Sequence, residues 1–121
     1  MPAKLANITF DCGDALRLAR FWAEVLGRAI DDGGDSGFAS IGGSDAQRTE
    51  AAWNFEKVPE SKVAKNRMHL DVVDPDPKAV ERFVALGATI EAKRELGNHH
   101  WTVMRDPEGN EFCVAAKTFG S

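Results

Sequence analysis

The sequence predicts an α+β fold made of two βαβββ repeats, whose curved antiparallel or mixed sheets surround a central cup with the helices outside. Three observations predict it. The order strand, helix, three short strands is legible twice along the 121 residues. Two short matches recur at a common offset of sixty residues: Phe10–Asp14 (FDCGD) with Leu70–Asp74 (LDVVD), and Leu26–Ile30 (LGRAI) with Leu86–Ile90 (LGATI). Each helical stripe ends on a glycine, Gly27 or Gly87. A repeat that cannot close its own sheet pairs with its twin, so one domain over 1–121 is expected, with repeats at about 5–58 and 66–117.

In the first repeat, Leu5 to Cys12 alternates as a strand, with Ile8 and Phe10 on one face and Asn7, Thr9 and Asp11 on the other. Asp14 stands where a helix N-cap belongs. Leu18, Phe21, Trp22 and Val25 follow at the spacing of a buried stripe, opposite Arg17, Arg20 and Glu24. Glycine pairs then separate three short strands: Arg28–Asp32, Gly37–Ile41 and Ala51–Val58, the last with Trp53 and Phe55 opposed to Asn54 and Glu56.

The second repeat opens with a strand over Arg67–Val73. Asp76 and Pro77 supply a cap and a first-turn proline, and Val80, Phe83, Val84 and Leu86 the buried stripe. Strands over Thr89–Lys93, His100–Arg105 and Glu111–Ala116 complete it, the last two joined by the turn Asp106–Asn110. That turn carries two acids and no lysine, so it is a hairpin turn and not a phosphate loop.

Composition narrows the function classes. A net charge of -4 argues against nucleic acid as a partner, because phosphate binding calls for a basic excess. No apolar run is long enough to span a bilayer and the N-terminus lacks a signal-peptide pattern, so neither a membrane nor export is expected and a cytoplasmic location is. Cys12 and Cys113 lie on separate strands without a spaced framework, which reads as two reduced thiols.

Three motifs carry a resemblance. Ala19–Ile30 (ARFWAEVLGRAI) resembles the helix signature of the vicinal oxygen chelate superfamily, the glyoxalase/bleomycin resistance/dioxygenase fold, with Trp22 where that signature has tyrosine. Lys65–Val72 (KNRMHLDV) and Asp106–Val114 (DPEGNEFCV) are similar to its fifth strand and last hairpin, and the whole looks most like the glyoxalase-like domain group. The fold hosts many chemistries, so the resemblance implies architecture before activity.

In metal-dependent members of that superfamily the ion is held by the first and last strands of each repeat. Carried over, those stations fall on Asn7 with Thr9 beside it, on Glu56 with Asn54 beside it, on His69, and on Cys113, where the family has glutamate. Zinc, nickel or iron sites collect at least three imidazole, carboxylate or thiolate donors, and a cysteine between Phe112 and Val114 reads first as a small buried residue. The resemblance therefore implies a metal-free cup that binds a small-molecule ligand. The alternative is a lyase, isomerase or dioxygenase in which His69 and Glu56 are catalytic or hold a divalent ion.

Other residues have two readings. His69 and Asp71 share a strand face and form either an acid/base pair or a hydrogen-bonded cup histidine. Lys65 or Arg67 could bind a ligand's anionic group, although Asn66 and Arg67 are read first as bonding the crossover between repeats. His99 and His100 point to opposite faces, and Trp101 either stacks on a flat ligand or packs on Trp53, the expected role. Trp22, Phe38 and Trp53 are further candidate lining. Open sheet edges imply a homodimer.

Overall fold

The computed structural model describes residues 2, 4–45 and 47–117, which fall into two compact units, Met1–Ser61 and Lys62–Ser121. The second has the predicted order of elements and the first has it short of one strand, and together they hold two open mixed sheets, of three and four strands, and two helices. The α+β assignment of the βαβββ type stands.

In the first unit, β1 (Asn7–Cys12) pairs in parallel with β3 (Ala52–Lys57), which pairs antiparallel with β2 (Phe38–Ile41). Helix α1 (Ala15–Leu26) starts where expected: the Asp14 carboxylate accepts from the Arg17 N–H at 3.2 Å, satisfying one of the free donors of the first turn. It stops at Gly27, whose φ of 64° a side-chain-bearing residue adopts only with strain. Its stripe buries Leu18, Phe21 and Trp22 against the face of the sheet bearing Phe10, Trp53 and Phe55. Trp22 lies 5.1 Å from Trp53 and 6.0 Å from Phe10, ring centre to ring centre.

The expected strand Arg28–Asp32 is reduced to a single bridge, Ile30 to Ile41, so this sheet has three strands and not four. Asp31 is the reason. Its carboxylate accepts from Ser40 Oγ at 2.5 Å, Gly43 N at 2.8 Å and Ser44 Oγ at 2.6 Å, which bends the chain into a side-chain-clamped loop where a ladder would have continued.

In the second unit the sheet order is β4-β7-β6-β5, with β4 (Leu70–Val73), β5 (Thr89–Leu96), β6 (His99–Arg105) and β7 (Glu111–Ala115). The β4–β7 pairing is parallel, as for β1 and β3, and the others are antiparallel. β4 begins at Leu70 and not Arg67, so His69 immediately precedes the strand. β5 is longer than expected and turns into β6 through Gly97-Asn98, a two-residue hairpin with Gly97 at φ 59°. Between Ile90 and Ala92 the ladder shifts by one residue, so Glu91 forms a bulge.

Helix α2 (Ala79–Ala85) starts two residues later than the Asp76–Pro77 signal implied. Asp76 instead closes a preceding turn, accepting from the Lys78 N–H at 2.9 Å. With only seven residues the helix buries Ala79 and Phe83; Val80 is half-buried, and Val84 and Leu86 are exposed. Phe83 meets Phe112, and Met104 and Val114 complete that core. Gly87 follows at φ 118°, and a Cβ there would stand 3.3 Å from Pro107 Cγ. Gly87→Ala is accordingly expected to lower stability by about 1–3 kcal/mol, the range for strained backbone, measurable as a reduced urea midpoint.

Candidate functional site

Strand registers decide which side chains meet. On the first sheet Asn7, Thr9 and Asp11 share the face away from α1, and their pairing sets Thr9 beside Asn54 and Asp11 beside Glu56. Ser40 and Phe38 extend these rows on β2. Asn7, Thr9, Asn54 and Glu56 are therefore together on one polar face of the first unit. Trp22 and Trp53 are on the opposite, helix-covered face, which corrects their reading as ligand lining. Trp53 stacks on Phe10 at 5.5 Å, whereas the ring partner of Trp101 is His99, at 5.2 Å; each tryptophan packs within its own unit.

The second sheet carries the richer site. On its face away from α2, one row runs Asp71, Cys113, Val103, Ala92 and the next Val73, Ala115, Trp101, Arg94, each row crossing β4, β7, β6 and β5. These residues line an open basin of about 650 Å³, with His69, Glu91 and Lys65 at its border. His99 enters the basin and His100 lines the groove on the helix side, so the two histidines do diverge. Arg94, on the edge strand, borders both. Arg67 is exposed and does not line the basin.

Along its lining the imidazole of His69, the carboxylate of Asp71 and the thiol of Cys113 each place a donor atom within 4.8 Å of the others; His69 Nδ1 is 3.7 Å from Asp71 Oδ1. Cys113 is half-buried and both cysteines are free thiols. Burial pushes the Cys113 thiol above its usual pKa and the Asp71 carboxylate adds to that, so it is held protonated and is a poor nucleophile. One imidazole, one carboxylate and one thiolate are a donor set of the kind that holds zinc. Tetrahedral bonds of about 2.0–2.3 Å require donors roughly 3.3–3.8 Å apart, so modest closure and loss of the thiol proton would both be needed.

At one end of the basin the charges are already matched. Glu111, whose side chain is 2% exposed, meets Lys62 Nζ at 3.1 Å and accepts from the Asn66 N–H at 3.1 Å, while Asn66 Nδ2 donates to its backbone carbonyl. Burial opposes its charge, but these donors outweigh the penalty and hold its carboxyl below the ordinary glutamate range. Glu91 on the bulge takes both nitrogens of the Arg105 fork, at 3.0 and 3.1 Å. Asn66 thus bonds Glu111 of β7 through both its backbone N–H and its side chain, rather than the backbone of the crossover itself. Lys62 is one of the basic residues of the connector, but its partner Glu111 and the residues Glu91, Arg94 and Lys117 were not singled out from the sequence. Period-two counting from Cys113 reaches Glu111 and Lys117, but the bulge breaks that count on β5.

The comparisons agree with this architecture. The family model described as "Glyoxalase-like domain" matches residues 7–115. Among curated protein sequences none matches. A fosfomycin resistance protein, FosX, of Listeria monocytogenes superposes with a TM-score of 0.75 at 16% identity, over 98% of this chain and 94% of its own; that structure holds manganese(II) and 1S,2S-dihydroxypropylphosphonic acid. A glyoxalase/bleomycin resistance protein/dioxygenase family enzyme of Burkholderia phytofirmans gives 0.69 at 20%, over 93% and 97%. The bleomycin-binding protein of Streptomyces verticillus, complexed with copper(II)-bleomycin, gives 0.60 at 22%, over 98% and 100%. At these identities the likeness shows the fold alone. With the family model spanning nearly the whole chain, the protein belongs to the glyoxalase-like domain family.

Proposed function

We propose that the protein binds a small organic molecule in the basin of its second unit, and that binding does not depend on a metal. The carrying observation is the basin itself. Its volume of about 650 Å³ is in the range of small-molecule sites, and its floor of Trp101, Val103, Ala92 and Ala115 is apolar with polar groups at the border. FosX and the bleomycin-binding protein, which share the fold, hold small molecules in their structures. A fragment screen by ¹H–¹⁵N correlation spectroscopy is expected to give compounds that shift the Trp101 indole N–H and the Val103 and Cys113 amides. Val103→Arg, which fills the floor, should abolish those shifts. Compounds that bind Val103→Arg as well as the parent protein would overturn the assignment.

The cluster of His69, Asp71 and Cys113 favours a second reading, in which these residues hold a divalent ion and the protein is a lyase, isomerase or dioxygenase. A bound ion there would polarise an oxygen of the ligand; Glu56 lies on the polar face of the first unit's own sheet. Equilibrium dialysis decides it: one zinc or manganese per chain, lost in both His69→Ala and Cys113→Ser, is the result this reading expects, and unchanged uptake in either variant sinks it.

Two free thiols suit a reducing compartment such as the cytoplasm. The open sheets, with the eight-residue strand β5 at an edge, support a homodimer. Light scattering should then give twice the 13.2 kDa chain mass, and the mass of a single chain at every concentration would refute it.

A further inference from the structure

We propose that the occupant of the basin is a flat aromatic carboxylate, its ring on Trp101 and its carboxylate on Arg94. This rests on the reading of the basin as a small-molecule site and adds the class of molecule. The argument is one of charges already used and charges left over. At the Glu111 end each acid has its cation: Glu111 has Lys62, and Glu91 has the fork of Arg105. Lys65 borders the same end, where its field acts on Glu91 and Cys113. Asp71, in the middle row, has His69 beside it.

At the other end the balance is reversed. Arg94 and Lys117 both line the basin and have no ion pair among the described residues, and no acid lies in their row. Trp101 is the register partner of both Arg94 and Ala115, so the ring has the guanidinium-bearing strand on one side and the approach to Lys117 on the other. Directly opposed side chains in such a ladder stand about 4.5–5.5 Å apart at Cβ. His99 lies against the Trp101 ring from the same strand, at 5.2 Å between ring centres and an interplanar angle of 31°. A planar ring stacks on this platform, and a planar carboxylate matches the guanidinium fork beside it. Neutral compounds would forgo pairing with these two exposed cations, and cationic ones would be repelled.

Titration with 2-naphthoate, 2-naphthalenemethanol, 2-naphthylmethylamine and cyclohexanecarboxylate, followed by ¹H–¹⁵N correlation spectra of the parent protein, tests this. Naphthoate is expected to bind at least ten-fold more tightly than the other three and to shift the Trp101 indole N–H. Arg94→Gln with Lys117→Gln should bring naphthoate down to the affinity of the alcohol while leaving the alcohol unchanged. Trp101→Leu should cost naphthoate and the naphthyl alcohol about ten-fold each and the cyclohexane acid little. If the alcohol or the amine binds in the basin as tightly as naphthoate, the carboxylate class is wrong although the site stands. Should cyclohexanecarboxylate match naphthoate, the aromatic requirement falls alone. If none of the four shifts a basin resonance, both this inference and the small-molecule site beneath it fail.

Discussion

Trp22→Ala is expected to destabilise the protein by about 3–5 kcal/mol, the cost of emptying a fully buried aromatic site. Trp22 is 0% exposed and its ring meets Phe10, Phe21 and Trp53, so the side chain joins the helix to β1 and to β3, the central strand of the first sheet. No neighbouring chain can relax into that volume without leaving its rotamer, since Leu18, Phe55 and Ile41 are themselves fully buried. Against a total stability of about 5–15 kcal/mol this is a large fraction. Urea unfolding should show the midpoint falling with little change in slope. Trp22→Phe, which keeps the ring contacts, should recover more than half of the loss.

Lys62→Ala is expected to cost about 1–3 kcal/mol, because it leaves the Glu111 carboxylate buried with its ammonium partner gone. Lys62 also donates to the Ala64 carbonyl, so the same substitution loosens the connector that leads to His69. The pH dependence follows from the direction of the Glu111 shift. Its carboxyl is held below the ordinary range in the folded chain, so on acidification the unfolded chain takes up this proton first. The contribution is complete above the unfolded pKa of about 4.3 and is lost as pH falls through the lower folded value. Glu111→Gln should therefore narrow the difference in urea midpoint between pH 7 and pH 3. It should not remove it, because Asp31, Asp35 and Glu91 are shifted in the same direction, Asp31 by serine hydroxyl and backbone donors that outweigh its burial, Asp35 by backbone N–H groups, and Glu91 by Arg105.

The order of elements was legible because each is encoded locally. Asp14 and Gly27 bracket one helix by capping chemistry, and alternation along β1 and β3 separates helix-facing aromatics from polar residues without reference to any partner. What was not legible is what depends on pairing. Nothing near Arg28–Asp32 announces that Asp31 will collect Ser40, Gly43 and Ser44 and end that strand. His69 and Cys113 were found by their positions along the chain, but the third member of their cluster, Asp71, faces Cys113 only through the parallel β4–β7 register. Glu111 reads in sequence as an ordinary turn-end glutamate; its burial comes from Lys62 and Asn66, more than forty residues earlier. Nor does the composition of the apolar face of a short helix reveal that α2 will cover little of its sheet and leave Val84 and Leu86 exposed.

The bulge at Glu91 bears on how this chain tolerates changes in length. Before it, Thr89 faces the side of Arg105 and Ile90 that of Met104; after it, Ala92 and Arg94 return to the basin side opposite Val103 and Trp101. Glu91 is thus the one residue of the edge strand standing outside the two-residue period. Its deletion would leave a straight ladder with Arg94 still beside Trp101, at the cost of the Arg105 pair. An added residue between Ala92 and Leu96, by contrast, would invert everything beyond it and could send Arg94 to the helix side. The strand can therefore be shortened at one point with the basin's chemistry kept, but not lengthened past that point without rewriting the basin.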